Sequence, residues 1–240
     1  MNAMSTGFVS LMLLIYGTVL GSYFNVVGYR LTWWSHKSSR YSKCPQCRKR
    51  LTVSELIPVI SYIMQKGRCQ NCWMTISLVY PLIELLTGVL FVWSYLKVGW
   101  SEELIFYLLL ISFSAIISVS DYWHYRIPNH FLLIFGPILV MLSPVSWQAA
   151  LLGAGIQLIM LVIVMVCTKK ESLGMGDVKL LILLGAIFGW KSSLWIVWWA
   201  SVLALISFYI QYRGHQSYAE AKLPFGPYIC LGAMIVLFTQ

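Results

Sequence analysis

Apolar stretches long enough to cross a lipid bilayer recur along nearly the whole of this 240-residue chain, and nothing else in the sequence constrains the fold as strongly. A bilayer's hydrocarbon core is about 30 Å thick and takes roughly 20 apolar helical residues to span. Eight such segments can be drawn, at residues 7–27, 78–96, 104–119, 131–142, 149–167, 180–188, 194–212 and 228–238. Two are too short to span alone. The 131–142 segment is expected to run on to about Trp147, and the 180–188 segment to begin before Asp177. Gly174, Gly176, Gly185 and Gly189 also leave open a broken or re-entrant segment, which is tolerated at membrane depth only inside protein or beside a wet cavity. Composition agrees with a membrane protein. Only 10% of residues are charged, against roughly 25% in a soluble domain. Eleven Trp and fourteen Tyr suit many bilayer interfaces. The first segment lacks the basic start and small-residue cleavage site of a secretory signal, so it is read as a retained helix.

The net charge of +9 is not spread evenly. Nine of the seventeen Lys and Arg lie between Arg30 and Arg68, with Glu55 the one acid among them. Basic loops beside membrane helices mark the cytoplasmic side. If the loop at 30–77 is cytoplasmic, the N-terminus is outside, fifteen basic residues face inward and only Lys97 and Lys191 face outward. That asymmetry accounts for the charge better than nucleic-acid binding does, and no nucleic-acid partner is expected. Membrane lipids are. No sequence signal sets an oligomeric state.

The same loop carries Cys44-Pro45-Gln46-Cys47 and, twenty-one residues later, Cys69-Gln70-Asn71-Cys72. Two Cys-x-x-Cys knuckles supply the four thiolates of a tetrahedral zinc site, and a metal can staple a segment too small for its own core. Two disulfides or four free thiols are the alternatives; a reducing cytoplasm disfavours the disulfides. Cys167 and Cys230 lie in apolar segments and read as small hydrophobes. The expected architecture is therefore all-α and polytopic, with about eight transmembrane helices and a small zinc-binding cytoplasmic loop.

Four acids lie in or beside the spans: Glu84, Asp121, Glu171 and Asp177. An Asp at a helix centre costs about 2.5–3.5 kcal/mol on insertion scales, so such residues tend to be functional. Asp121 precedes Tyr122-Trp123-His124-Tyr125-Arg126-Ile127-Pro128-Asn129, and Asp177 sits in Gly174-Met175-Gly176-Asp177-Val178-Lys179. Two carboxylates held together share one proton. One can then act as base toward water while the other protonates a peptide carbonyl. Ion pairs with Arg126 and Lys179 are the plainer alternative, and the residues alone leave the two readings level. Glu84 reads as structural support. His124 and His130 read as interfacial polar groups. Pro224-Phe225-Gly226-Pro227 reads as a rigid turn, with or without a part in a substrate groove. A proton-coupled transporter would show inverted repeats and paired broken helices, and none is evident. A zinc-bearing scaffold would need no aspartates at the membrane edge.

The ordered set of motifs resembles the prepilin peptidase family of GxGD aspartic proteases. It runs from Gly21-Ser22-Tyr23-Phe24-Asn25 through both cysteine pairs, Glu55-Leu56-Ile57-Pro58, Lys66-Gly67-Arg68-Cys69 and Tyr80-Pro81 with Glu84. It closes with Asp121, Ile127-Pro128-Asn129, the Gly174–Leu180 run and Pro224-Phe225-Gly226-Pro227. The resemblance implies removal of a short basic leader from type IV prepilins or pseudopilins, after a glycine, with Asp121 and Asp177 as the catalytic pair. It further implies N-methylation of the new N-terminus with S-adenosylmethionine, involving the loop that holds Cys44, Cys47, Cys69 and Cys72. Gly67 matches a family glycine linked to that second activity. The resemblance divides the chain into a first helix (1–28), a loop serving methyl transfer (29–77) and a membrane peptidase domain (78–240). Two departures bear on methyl transfer: Trp73 stands where glycine is usual, and Ser54-Glu55 replaces the common acidic start of the Leu-Ile-Pro motif. A peptidase that only cleaves is the alternative.

Overall fold

The computed structural model describes residues 3–31, 41–168, 174–212 and 223–239. Among these residues eight α-helices follow one another: α1 (Ala3–Leu31), α2 (Ile60–Met64), α3 (Val79–Val98), α4 (Glu102–His124), α5 (Asn129–Leu142), α6 (Trp147–Thr168), α7 (Met175–Tyr212) and α8 (Gly226–Thr239). A 3-10 turn at Ser54–Leu56 precedes α2. Among the described residues there is no strand, only two isolated antiparallel bridges, Lys43–Arg50 and Arg68–Thr75. The expected all-α architecture is therefore found. Among the described residues five helices are long and apolar enough to cross a membrane: Thr6–Leu31, Val79–Val98, Glu102–His124, Trp147–Val166 and Met175–Gln211. Two shorter apolar helices, α5 and α8, have 14 residues each. The chain is a multi-pass membrane protein.

The 38 residues of α7 would make a rod of about 57 Å at 1.5 Å per residue, nearly twice the hydrocarbon thickness. It is not one rod. Gly189, at φ 74° and ψ 175°, interrupts it with a backbone conformation that suits glycine alone. The break separates the two apolar segments expected at 180–188 and 194–212, and the first of them begins before Asp177 as anticipated. Counted with this break, the apolar helical segments number eight among the described residues.

One boundary differs from expectation. The segment at 131–142 does not run on to Trp147. It stops at Leu142, and Ser143 is extended (φ −63°, ψ 138°). Pro144 is the cause, because a proline disfavours helical backbone in the residue before it. Ser143 turns its hydroxyl to the Ile187 carbonyl at 2.6 Å. Expectations resting on Lys169, Lys170, Glu171, Arg213 and Lys222 lie outside the described residues.

Two compact units divide the chain, Met1–Ile116 and Ile117–Gln240. In the first, α1 packs along α3. The approach is close because the contact is built on small residues: a Cβ on Gly17 would lie 2.8 Å from Gly88 Cα, and one on Gly21 2.8 Å from Glu84 Cα. Backbones meet in this way where dispersion, not water, drives association. In the second unit α7 is the hub, packing on both α6 and α8.

Candidate active site and metal centre

In the second unit three helix ends carry the motif residues. Asp121 occupies the last turn of α4 and is 6% exposed. That helix closes immediately after it: the Tyr125 N–H donates to the Asp121 carbonyl at 2.8 Å, Tyr125 takes a φ of 52°, and Ser120 Oγ donates to the Arg126 carbonyl at 2.9 Å. Asp177 sits in the first turn of α7, where a helix N-terminus favours an acid. A Cβ on Gly176 would lie 3.0 Å from Ile127 Cβ, so the first turn of α7 lies against the Ile127-Pro128-Asn129 segment. Lys179 Nζ ties the two together through Asn129 Oδ1 at 2.9 Å. The third end is that of α8, whose Gly226 N–H donates to Asp121 Oδ2 at 2.8 Å.

The two carboxylates stand close enough for the charge on Asp121 to act directly on Asp177. Oδ1 of Asp177 is buried without a hydrogen-bond partner. A native protein rarely leaves such an atom unpaired unless a proton, water or ligand belongs there. Ion pairing with Arg126 or Lys179 is not what the geometry gives. Among the described residues no ion pair joins Asp121 to Arg126 or Asp177 to Lys179, and Lys179 is turned to Asn129. One carboxylate anchored by an amide, beside a second with a free buried oxygen, can share a proton and exchange it with a water and a carbonyl.

The cysteine loop lies in the first unit, and its knuckles are built alike. The Cys44 N–H donates to the Lys49 carbonyl at 3.0 Å and the Arg48 N–H to the Cys44 carbonyl at 2.9 Å. The Cys69 N–H donates to the Met74 carbonyl at 2.9 Å and the Trp73 N–H to the Cys69 carbonyl at 2.9 Å. Each knuckle turns through a residue of positive φ, Arg48 at 57° and Trp73 at 58°. Left-handed backbone costs a non-glycine residue about 1–2 kcal/mol, which gives a physical meaning to the glycine usual at the second of these positions. The four sulfurs all lie within 4.8 Å of one another. Cys44 and Cys72 stand 3.7 Å apart, and Cys47 and Cys69 4.0 Å apart. A tetrahedral zinc with bonds of about 2.3 Å sets its sulfurs roughly 3.8 Å apart, so the donor set fits that ion. A disulfide at about 2.05 Å does not fit; the cysteines are free. The thiols are unequal. The Lys49 amide and the Asn71 side chain hold Cys47 at about 6. The Cys72 and Asn71 amides lower Cys69. Burial and the neighbouring thiols push Cys72 to about 11, against an opposing Met74 amide. Four cysteines placed in this way can hold a metal ion such as zinc, whose charge would favour the thiolate form of each.

Gly67 is buried with φ 67°, and a Cβ there would lie 2.7 Å from Tyr62 Oη and 2.9 Å from its Cζ. Its N–H donates to the Tyr62 carbonyl at 2.9 Å, and its carbonyl accepts from the Ile76 N–H at 2.7 Å. Glycine is demanded there by the loop's own packing. Two contacts were not anticipated. Gly226 holds Asp121, and Glu84 accepts the Val59 N–H at 2.8 Å, steadying a residue strained at φ 61° and ψ −50°. Glu84 thus supports the loop of its own unit. Glu55, with a side chain 3% exposed, accepts from the Thr52 N–H at 2.8 Å and Thr52 Oγ1 at 2.9 Å. The Thr52 amide is the chief cause that holds its carboxyl below the usual range, with Lys49 adding to it.

Comparison with known proteins returns two family matches. The family described as Bacterial Peptidase A24 N-terminal domain matches residues 15–98, and the Type IV leader peptidase family matches residues 108–209. The chain is 36% identical to a prepilin leader peptidase/N-methyltransferase of Bacillus subtilis, covering 93% of this chain and 91% of that one. It is 32% identical to the protein of the same description in Myxococcus xanthus, over 79% of this chain and 59% of that one. It is 34% identical to a type 4 prepilin-like proteins leader peptide-processing enzyme of Escherichia coli O78:H11, over 83% and 76%. No solved structure gives a significant match.

Proposed function

The chain belongs to the prepilin leader peptidase family, and from that premise we propose that it is a membrane aspartic endopeptidase that removes the leader of type IV prepilins or pseudopilins and N-methylates the N-terminus it exposes. Asp121 and Asp177 are its catalytic pair. The observation that carries the assignment is their meeting at three helix ends, with Gly226 N–H on one oxygen of Asp121 and a buried oxygen of Asp177 left unpartnered.

An N–H only donates, so Oδ2 of Asp121 is an acceptor. The proton shared by the pair is left to Oδ1 of Asp121 or to Asp177. One carboxylate takes a proton from water as the water oxygen bonds to the scissile carbonyl carbon. The other gives its proton to the carbonyl oxygen. As the tetrahedral adduct collapses, the C–N bond breaks, a proton passes to the departing nitrogen and the pair returns to its singly protonated state. No covalent intermediate with the enzyme forms.

Cys44, Cys47, Cys69 and Cys72 hold zinc, which supplies the charge and cross-link that fix the loop. S-adenosylmethionine is the methyl donor, and the loop at 29–77, with Gly67 setting its backbone, serves that step. Residues 78–240 form the peptidase domain behind a first helix at 1–28. The protein lies in the bacterial inner membrane with its N-terminus outside and the zinc loop cytoplasmic, as the charge asymmetry favours. The test is incubation of the purified chain with a prepilin, with and without S-adenosylmethionine, read by mass spectrometry. Loss of the leader in both samples, with a further methyl only when the donor is present, is expected. An intact prepilin in both would refute the proposal, and a cut but unmethylated product would restrict it to cleavage.

A further inference from the structure

The loop of the first unit carries an apolar face that the proposed chemistry does not use. Val53, Ile60, Ile63 and Met64 are 84, 54, 68 and 76% exposed, and Leu56 and Ile57 are 42% exposed each. Leu56 lies in the 3-10 turn, Val53 and Ile57 flank it, and Ile60, Ile63 and Met64 lie on α2, which touches the turn. Exposed apolar surface on this scale marks an interaction site.

One hydrogen bond sets the level of this face along α3. The Val59 N–H, at the start of α2, donates to Glu84 Oε2 at 2.8 Å. Glu84 lies five residues into α3, whose first residue is Val79, about 7.5 Å along the axis of that span at 1.5 Å per residue. Interfacial segments bury their apolar faces about 5–10 Å into the boundary between headgroups and acyl chains. The residues of α3 at the same level, Leu82 and Leu85, are 53 and 47% exposed, as lipid-facing residues of a span should be. Beside the apolar face, Met64 and Trp73 share a cleft of about 490 Å³ with Lys66 and Arg68, and both cations are exposed. An aromatic ring beside cations is how proteins anchor at a negatively charged leaflet.

We infer that this face is a membrane-docking surface: Ile60, Ile63 and Met64 enter the headgroup boundary, and Lys66 and Arg68 take the phosphates of anionic phospholipids. Under the proposed function, docking would hold the loop at the depth where a cut transmembrane substrate presents its new N-terminus, but the docking itself does not rest on that reading.

The test places a benzophenone photoprobe at Ile63 of the full chain. The protein is put in phosphatidylcholine nanodiscs with and without phosphatidylglycerol, and adducts are identified by mass spectrometry. A probe at Leu82 gives the yield of a lipid-facing site. Phospholipid adducts at Ile63 are expected, increased by phosphatidylglycerol. Lys66→Gln with Arg68→Gln should lower that increase by about tenfold or more, since each cation near such a surface contributes to binding. The yield in phosphatidylcholine alone should stay the same. If the probe disturbs the loop, hydrogen exchange on the unlabelled chain replaces it, and the amides of residues 61–64 should exchange more slowly in anionic discs than in detergent. Adducts to a peptide of this chain, a second copy or an added prepilin, with no lipid adduct, would overturn the inference. So would exchange that is equal in both surroundings.

Discussion

Replacing Gly226 by Ala tests how the proposed catalytic pair is held. A Cβ at that position would lie 2.9 Å from Asp121 Oδ2 and 3.1 Å from both Asp121 Cβ and Cγ. Asp121 Cβ is fixed by α4, so turning the carboxylate aside does not relieve the whole contact. Gly226 begins α8 and is not among the glycines of positive φ, so alanine meets no backbone penalty and gains about 1 kcal/mol of helix propensity at most. The whole cost falls on Asp121 and its 2.8 Å bond from the Gly226 N–H. A hydrogen bond to a charged group contributes about 1.5–3 kcal/mol. Each 1.36 kcal/mol is tenfold in rate, so losing it from the transition state lowers kcat by roughly 10- to 150-fold. Prepilin affinity should change little. The assay is single-turnover leader removal from a purified prepilin, with methylation of a pre-cut pilin as the internal check that the protein is folded. Gly174→Ala is the graded comparison. Its Cβ would meet Asp177 Oδ2 at 3.1 Å, the far end of a side chain that can move, so a smaller loss is expected. Cleavage by Gly226→Ala within twofold of normal, with methylation intact, would refute the idea that this amide aligns Asp121.

Three other outcomes follow from the loop. Purified protein should carry about one zinc per chain, and Cys44→Ser or Cys72→Ser should lose it while the helices stay inserted; elemental analysis showing no zinc and two disulfides would reject the site. Gly67→Ala should destabilise the loop by about 1–2 kcal/mol from its left-handed backbone alone, and should impair methylation more than cleavage; equal loss of both would mean that the loop serves the fold as a whole. Glu55→Gln should loosen the turn by about 1–2 kcal/mol at pH 7, read as faster amide exchange at Thr52. Because the folded protein lowers the pKa of Glu55, this stabilisation is fully present above the unfolded value of about 4.3 and fades as pH falls through the lowered folded value. The variant and the parent should therefore converge in acid, and a difference that grows there would contradict the assignment.

The parts of the fold that were legible in the sequence are those written in composition and spacing. Apolar runs located the eight helical segments, because a span has no cheaper way to hide its backbone. The two Cys-x-x-Cys knuckles announced the candidate metal centre through their spacing and their place on the side expected to be reducing. The aspartates stood out as acids at the membrane edge. The residues alone left the ion-pair alternative level with the shared-proton reading; it weakens for Asp177 and Lys179 once both lie in α7, since residues two apart on a helix do not face each other. The Gly226 contact was not legible, because it joins an amide to a carboxylate 105 residues away and any residue but proline has an amide. The Val59–Glu84 bond was hidden for the same reason. Pro144 was visible, and its effect on Ser143 could have shortened the expected helix.

The most direct test of the account is leader removal by Asp121→Asn and Asp177→Asn, each measured under single-turnover conditions with a prepilin whose binding is followed separately. Asparagine keeps the shape and much of the hydrogen bonding but cannot exchange a proton near neutral pH. A shared-proton mechanism needs both carboxyls, and acid–base catalysis contributes about 10²–10⁴-fold for a positioned group. Each variant should therefore bind prepilin normally and cleave it about a hundred- to ten-thousandfold more slowly, while the parent shows a bell-shaped pH profile whose two limbs belong to the pair. Cleavage at a near-normal rate by either variant would contradict the account.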